Sequence, residues 1–481
     1  MFTLFIELIQ IALGNREMLT SIPSVEEWEE AFDLARKQGV VGVAFMGVLS
    51  YVEKQHKKCR MQDAGCRIEW KDEEAHKKLV SVKGLEVSEE DDEEFDESWL
   101  EAVNLPEELY YTWMRQAMDG EQDYNKKWKN ANELVALWKV NGIDSIVLKG
   151  FSFAQFYPDS QVRHCGDLDI FPAYKNTDNT NNSDFTKTKK TPADSFDSMN
   201  LNDEACISQN INEFSACENQ SPSTSLVVEN ESIGNKQEIN NLGAERSAIN
   251  DQQMADGNAD VWERSNQIVE DKGIKVSKGY YKNSSFRYGK LFVENHRFCS
   301  PLRGAKKGKE YEALLQSILM EGTLTKIGDS DMLCPPPLFN ALFCISHAYG
   351  HFMLEGGIQL RHVLDWAMLM KAYKGLDIWN RLLTECKNFG YYRFAIAMSG
   401  LATRIAGIEV PFDYQQDTKA EDLLLEDILK EDKMQVECHN IWQTRWQLIR
   451  CAFLSRWKYQ EFSDESMFAS IVRKGIGLVV D

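Results

Sequence analysis

The chain has 481 residues, 43% of them hydrophobic and 11% aromatic, which suits a folded protein of roughly two to four domains with a substantial core. Its net charge of −21 is concentrated: residues 86–101 hold ten acidic side chains and no basic one, and residues 175–260 hold 15 acidic and six basic, leaving about −2 for the remainder. A nearly neutral body neither demands nor excludes an anionic ligand, and without a basic stripe it ranks RNA behind small molecules and proteins as a partner.

The N-terminal stretch from Met1 to Leu8 is apolar but lacks a basic n-region and contains Glu7, so it reads as an amphipathic helix of the fold and not as a signal peptide. Residues 1–52 are expected to be helical. Ser24-Val25-Glu26-Glu27 before Trp28 has the form of a helix start, and Trp28, Ala31, Phe32 and Ala35 follow at helical spacing. Val41 to Val52 forms a second apolar helix. Residues 53–103 are charged and poor in core formers, a partly flexible excursion on a helical region spanning 1–140. From Glu107 to Val140 the pattern is helical again, with Trp113, Trp128 and Trp138 among the candidate core positions.

Asn141-Gly142 closes that helix with a left-handed turn and opens the stretch on which the reading depends. The apolar run Ile146 to Leu148 ends at Lys149-Gly150, a short amphipathic segment follows, and a turn-rich passage leads to Asp167-Leu168-Asp169-Ile170-Phe171. The order is strand, glycine turn, helix, loop, strand. Side chains alternate along a strand, so Asp167 and Asp169 share one face, where a pair of carboxylates can hold one or two hard divalent cations.

Residues 175–260 are rich in Asn, Ser, Asp, Thr and Gln with no sustained period, the composition of a disordered insert that cannot bury enough apolar area to offset its ordering entropy. Order resumes with a helix from Val261 to about Glu270, and the run from Lys290 to His296 is a strand that delivers Glu294 to one face. From Tyr311 onward the periodicity is helical, with helices expected over Leu338–Leu354, Leu360–Tyr373 and Tyr391–Ile405, and another from about Ile441 to Trp457 carrying Arg445, Arg450 and Arg456. The domains are thus expected at 1–140 (helical), 141–300 (core, interrupted by the insert) and 301–481 (helical). No fixed-period repeat is present.

The motifs Leu148-Lys149-Gly150, Tyr157-Pro158-Asp159 with Arg163, Gly166-Asp167-Leu168-Asp169-Ile170-Phe171 and Phe292-Val293-Glu294-Asn295-His296 resemble, in order and spacing, the bacterial family of uncharacterised nucleotidyltransferases within the polymerase-beta-like superfamily. The helical segment from Trp28 to Gly39, and His347-x-x-x-His351 followed by Leu364-Asp365, resemble its flanking helices. In the superfamily pattern a second small residue follows the glycine directly; here Phe151 stands in that place and Ser152 comes next.

The resemblance implies an α+β fold, a small mixed sheet flanked by N- and C-terminal helical regions. It implies transfer of a nucleotidyl group from an NTP, with ATP as the expected donor, to a hydroxyl acceptor with release of pyrophosphate. Such chemistry is mostly positioning and charge neutralisation. Asp167 and Asp169 would ligate Mg²⁺ or Mn²⁺, and Glu294 would complete the metal site or take the proton of the attacking hydroxyl. Gly150 would let backbone approach the phosphates, Ser152 would cap the following helix or contact a phosphate oxygen, and Lys149 and Arg163 would balance phosphate charge. A small molecule or a protein is the expected acceptor ahead of RNA. The competing reading is a catalytically inactive relative that binds a nucleotide or a partner protein, in which Asp167, Asp169 and Glu294 need not converge.

His347 and His351, one helical turn apart, read as a structural pair in the absence of a third ligand in sequence, and His296 and His362 likewise. Gly304-Ala305-Lys306-Lys307-Gly308-Lys309 is not a P-loop, because its glycine spacing is short and no Ser or Thr follows Lys309. Eleven cysteines without a CxxC point to reduced thiols and a cytoplasmic setting, and no apolar run is long enough to span a bilayer, so no membrane partner is expected.

Overall fold

Ser24 caps the second helix as its spacing predicts: its hydroxyl accepts the Glu27 N–H at 3.3 Å, and the Glu27 carboxylate accepts the Ser24 N–H at 2.9 Å. In the computed structural model, residues 2–62, 98–174, 260–278, 282–300, 306–354, 357–430, 450, 453–464 and 466–468 are described. The first helices are α1 (Phe2–Ala12), α2 (Val25–Lys37), α3 (Val41–Gln62), α4 (Ser98–Ala102) and the long α5 (Glu107–Val140). A Cβ on Gly47 would lie 2.1 Å from the Leu8 carbonyl oxygen, so glycine is what allows α1 and α3 to cross this closely. Trp28 and Trp113 are fully buried and donate their indole N–H groups to the Val103 and Val41 carbonyls, which joins α2 and α5 to the helical core without an orphaned donor.

Gly142, at φ +77°, turns the chain out of α5 into β1 (Ile143–Val147). After Gly150 comes a single helical turn, α6 (Phe151–Ala154), then a 3-10 turn (Ser160–Val162) and β2 (Asp167–Tyr174). A further helix, α7, covers 260–270, followed by β3 (Asn283–Tyr288) and β4 (Leu291–His296). The rest is α8 (Lys306–Glu321), β5 (Thr325–Lys326), β6 (Met332–Cys334), α9 (Pro337–Leu354), α10 (Leu360–Ala372), α11 (Trp379–Phe389), α12 (Tyr392–Ala406), α13 (Thr418–Leu429) and α14 (Arg456–Phe462). The three expected C-terminal helices appear as α9, α10 and α12. Of the helix expected over 441–457, residues 441–449 lie outside the described residues; a turn at Ser455 precedes α14, and Arg450 and Arg456 are exposed. The expected insert at 175–259 and most of the charged excursion at 53–103 also lie outside the described residues.

The six strands form one mixed sheet in the order β3-β4-β2-β1-β6-β5. β1 runs antiparallel to β2 and parallel to β6, and β2 runs parallel to β4. The α+β fold is therefore as expected, although β5 and β6 carry too few residues to give a periodic signal. One face of the sheet, with Leu168, Ile170 and Val293, packs on Trp138, Leu134 and Val135 of α5 and on Val261 and Val269 of α7. From the other face Ile146, Leu148 and Phe171 join the large core built by the N- and C-terminal helices. Behind the sheet, the Asn295 amide donates to Ser265 Oγ and Asn266 Oδ1, each at 2.8 Å, and Trp262 Nε1 donates to the Asn295 carbonyl. This buried network fixes the position of β4 along α7.

Candidate functional site

Parallel pairing sets Asp169 opposite Glu294 and Asp167 opposite Phe292. Because partners in register share a face, Asp167, Asp169, Glu294 and His296 all project toward α9 and α10. Asp169 is 1% and His296 0% exposed, whereas Asp167 and Glu294 keep about a third of their side chains in contact with solvent.

Lys149, at the end of β1, reaches between the two aspartates. Its ammonium donates to Asp167 Oδ1 and Oδ2 at 3.1 and 3.3 Å and ion-pairs with Asp169 Oδ2 at 2.9 Å. Burial opposes its charge, but the Asp169 and Asp167 carboxylates outweigh that cost and hold the ammonium protonated above its ordinary value. The same pairing, with the His296 hydrogen bond, holds the Asp169 carboxyl well below the usual carboxylate range despite its burial. His296 Nε2 lies 3.1 Å from Asp169 Oδ1 and 3.6 Å from Glu294 Oε2. Burial and Lys282 disfavour the imidazolium, yet these carboxylate contacts raise His296 above its ordinary value.

One donor atom each from Asp169, Glu294 and His296 lies within 4.8 Å of the other two. Around a single ion with bonds of about 2.1 Å, neighbouring donors stand about 3 Å apart and opposite ones about 4 Å. The three residues thus form a group that could hold one divalent cation. Three carboxylates against one ammonium also leave an excess of negative charge for such a cation to offset.

A cavity of about 360 Å³ adjoins this cluster through Lys149 and Asp167; it is walled by Lys149, Gly150 and Asp167 on the sheet side and by His347, His351 and Arg361 on the helical side, and Asp169, Glu294 and His296 are not among its lining residues. Gly150 adopts φ +69° and ψ −111°, and a Cβ there would approach the Asp167 carbonyl oxygen to 3.4 Å. The left-handed φ makes glycine the residue suited to the turn beneath the cavity floor. Ser152 is fully buried with its hydroxyl 3.1 Å from Cys334 Sγ; it does not cap α6, whose N-cap is Gly150, and it is not part of the cavity wall.

Arg163 lies in the cavity wall, but its guanidinium is bidentate to Asp365, Nε to Oδ1 and Nη2 to Oδ2, both at 2.7 Å. Tyr157 donates to the same Oδ1 at 2.8 Å. The pair ties the loop before β2 to α10. Its approach is shaped by α3, where a Cβ on Gly42 would meet the Val162 carbonyl oxygen at 2.9 Å.

Arg361 is the cation that sequence reasoning missed. It lines the cavity and makes no ion pair among the described residues, and burial together with Arg163 lowers its pKa. Its signal was present in Arg361-x-x-x-Asp365, a spacing that places both side chains on one face of α10. His347, His351 and His362 line the cavity, with ring centroids 4.5 Å apart for the first pair and 5.7 Å for the second. Burial holds both His347 and His362 neutral, well below the ordinary histidine value, and His362 Nδ1 accepts the Gln359 N–H at 3.1 Å.

Among the described residues, Cys165, Cys299, Cys334, Cys344 and Cys386 are buried free thiols, and no described helix is long and apolar enough to cross a membrane. No protein of curated function and no solved structure matches the chain. The family described as "Uncharacterised nucleotidyltransferase" matches residues 99–181 and 258–407, segments that contain β1, β2, β4, α9 and α10 and hence every wall of the cavity. Through these two segments, close to half of its length, the chain is similar to the family of uncharacterised nucleotidyltransferases.

Proposed function

We propose that the cavity binds a nucleoside triphosphate and that the protein transfers its nucleotidyl group to a hydroxyl acceptor, releasing pyrophosphate. The observation that carries this reading is the meeting of Asp169 and Glu294, brought from strands distant in the chain onto one spot beside Lys149 and Asp167. An inactive relative has no need to keep a buried carboxylate, a partly exposed one and a lysine converging beside a cavity that Lys149 and Asp167 line.

Asp169 and Glu294, with Asp167 beside them, would hold a divalent cation, which when bound neutralises phosphate charge and polarises the phosphorus centre. Lys149 holds Asp167, in the cavity wall, and the buried Asp169 in a fixed orientation, so little reorganisation is required of them when the donor binds. Arg361, unpaired by any described acid, is placed to take up phosphate oxygens from the opposite wall. Arg163 keeps α10, and with it Arg361, in register with the loop before β2. Glu294, partly exposed, is placed to accept the proton of the attacking hydroxyl. Gly150 supplies a floor without a side chain.

The test is incubation of the protein with each labelled NTP, a divalent metal and fractionated cell extract, comparing the wild type with Asp169→Asn. Label moved to an acceptor by the wild type and not by the variant supports the reading. Equal labelling by both overturns it.

A further inference from the structure

We infer that His296 is a metal ligand, so that the site is built from two carboxylates and one imidazole and takes a first-row transition ion, with Mn²⁺ as its probe, in preference to Mg²⁺. The inference rests on reading the carboxylate cluster as a metal centre. What it adds is the nitrogen donor and the selectivity that follows from it.

The geometry begins in β4, where Glu294 and His296 alternate with Asn295 and so share the face that meets Asp169. The imidazole is fully buried at the base of the cluster, in a place where a side chain with no further role would be expected to be apolar. Its Nε2 faces Asp169 Oδ1 and Glu294 Oε2 at 3.1 and 3.6 Å, close to the spacing of neighbouring donors around one ion. Its other nitrogen, Nδ1, stands 3.2 Å from the Phe298 carbonyl oxygen. Without an ion, Nε2 carries a proton that it donates to Asp169. When an ion replaces that proton, an Nδ1–H donated to the Phe298 carbonyl leaves the Nε2 lone pair directed at the cluster, which is the arrangement by which backbone carbonyls commonly orient metal-bound histidines. Asp167, by contrast, is engaged by Lys149 through both oxygens and is not one of the three donors that meet within 4.8 Å.

Donor chemistry then decides the ion. Mg²⁺ takes oxygen ligands and keeps much of its water, whereas an imidazole nitrogen favours ions further along the first transition row. With a nitrogen in the donor set and Asp167 held by Lys149 outside it, fewer negative donors touch the ion, and binding of Mg²⁺ depends most on those.

The experiment is a titration of the full chain with Mn²⁺, followed by electron paramagnetic resonance. The signal of free Mn²⁺ measures affinity, and electron-spin-echo modulation on the bound ion reports any coordinated nitrogen. Expected is Mn²⁺ binding at least about 10-fold tighter than Mg²⁺ in competition, with nitrogen modulation from one imidazole. In His296→Asn and His296→Gln the modulation disappears and Mn²⁺ affinity falls about 10- to 100-fold, while Mg²⁺ affinity changes little. Bound Mn²⁺ without nitrogen modulation in the wild type overturns the inference, a result that needs no variant to fold. Failure of Mn²⁺ to bind, or modulation that persists in both variants, overturns it as well. None of these spectra depends on nucleotidyl transfer, so the Asp169-dependent labelling assay stands or falls separately.

Discussion

Two buried ionic networks share one cavity, and they are built in opposite ways. Arg163, Asp365 and Tyr157 form a closed set: one cation meets one anion through two parallel hydrogen bonds, and a phenol fills the remaining position. Lys149, Asp167, Asp169, Glu294 and His296 form an open set, in which a single ammonium serves Asp167 and Asp169 and an imidazole leans on Asp169 and Glu294. The closed network has little left to offer a ligand and holds α10 to the sheet domain. The open one carries surplus negative charge over a cavity, an arrangement whose energetic cost makes sense where something positive is to be bound.

The contrast can be broken first at the closed network. Asp365→Ala strands a buried guanidinium and is expected to cost about 3–5 kcal/mol in urea unfolding, whereas Arg163→Met combined with Asp365→Leu recovers most of that stability, as an apolar pair of similar volume often does. At the open network the large effect is on chemistry: Asp169→Asn lowers nucleotidyl transfer by at least about 100-fold in the labelling assay while the fold persists by circular dichroism. Arg361→Ala, between the two networks, raises the KM for the NTP by about 10-fold with a smaller change in kcat, as expected when a phosphate contact is lost.

The smallest effect is on pH dependence. His362 stays neutral in the folded protein well below the ordinary histidine value, because burial and Arg361 oppose its charge. The unfolded chain takes up that proton near pH 6.5, so stability is flat above about pH 7 and falls as the pH drops below it. At pH 6 the loss is about 0.8 kcal/mol for each histidine so held. Because His296, raised above its ordinary value, acts in the opposite sense, the measurement is the difference in urea midpoint between the wild type and His362→Gln at pH 8 and pH 6. A gap that does not shift in favour of the variant at pH 6 contradicts the assignment.

The strands and helices that carry the site were legible because their signals are local. Alternation put Asp167 and Asp169 on one face, Asn141-Gly142 announced the turn into β1, and 3.6-residue spacing marked α9, α10 and α12 within a residue of their observed ends. What the charges pair with was not legible, because pairing is decided by tertiary approach. Arg163 looked free for phosphate, yet its partner Asp365 lies 202 residues away and reaches it only when α10 docks. Ser152 looked like a cap, but Gly150 takes that place and the hydroxyl turns to Cys334, 182 residues on. His296 looked structural because nothing nearby in sequence shows that a parallel register will set it against Asp169.

That register has a consequence for how the molecule comes to exist. Asp169 and His296 stand 127 positions apart, so their contact forms only after the chain closes a very long loop. Closure entropy grows with the logarithm of length, and doubling the span costs only about 0.6 kcal/mol. The equilibrium is thus tolerant of how much sequence separates β2 from β4. The rate is not: non-local parallel pairing is slow to form. A ribosome-bound chain that ends before β4 holds Lys149, Asp167 and Asp169 without Glu294 and His296, so the site cannot close until β4 has been made.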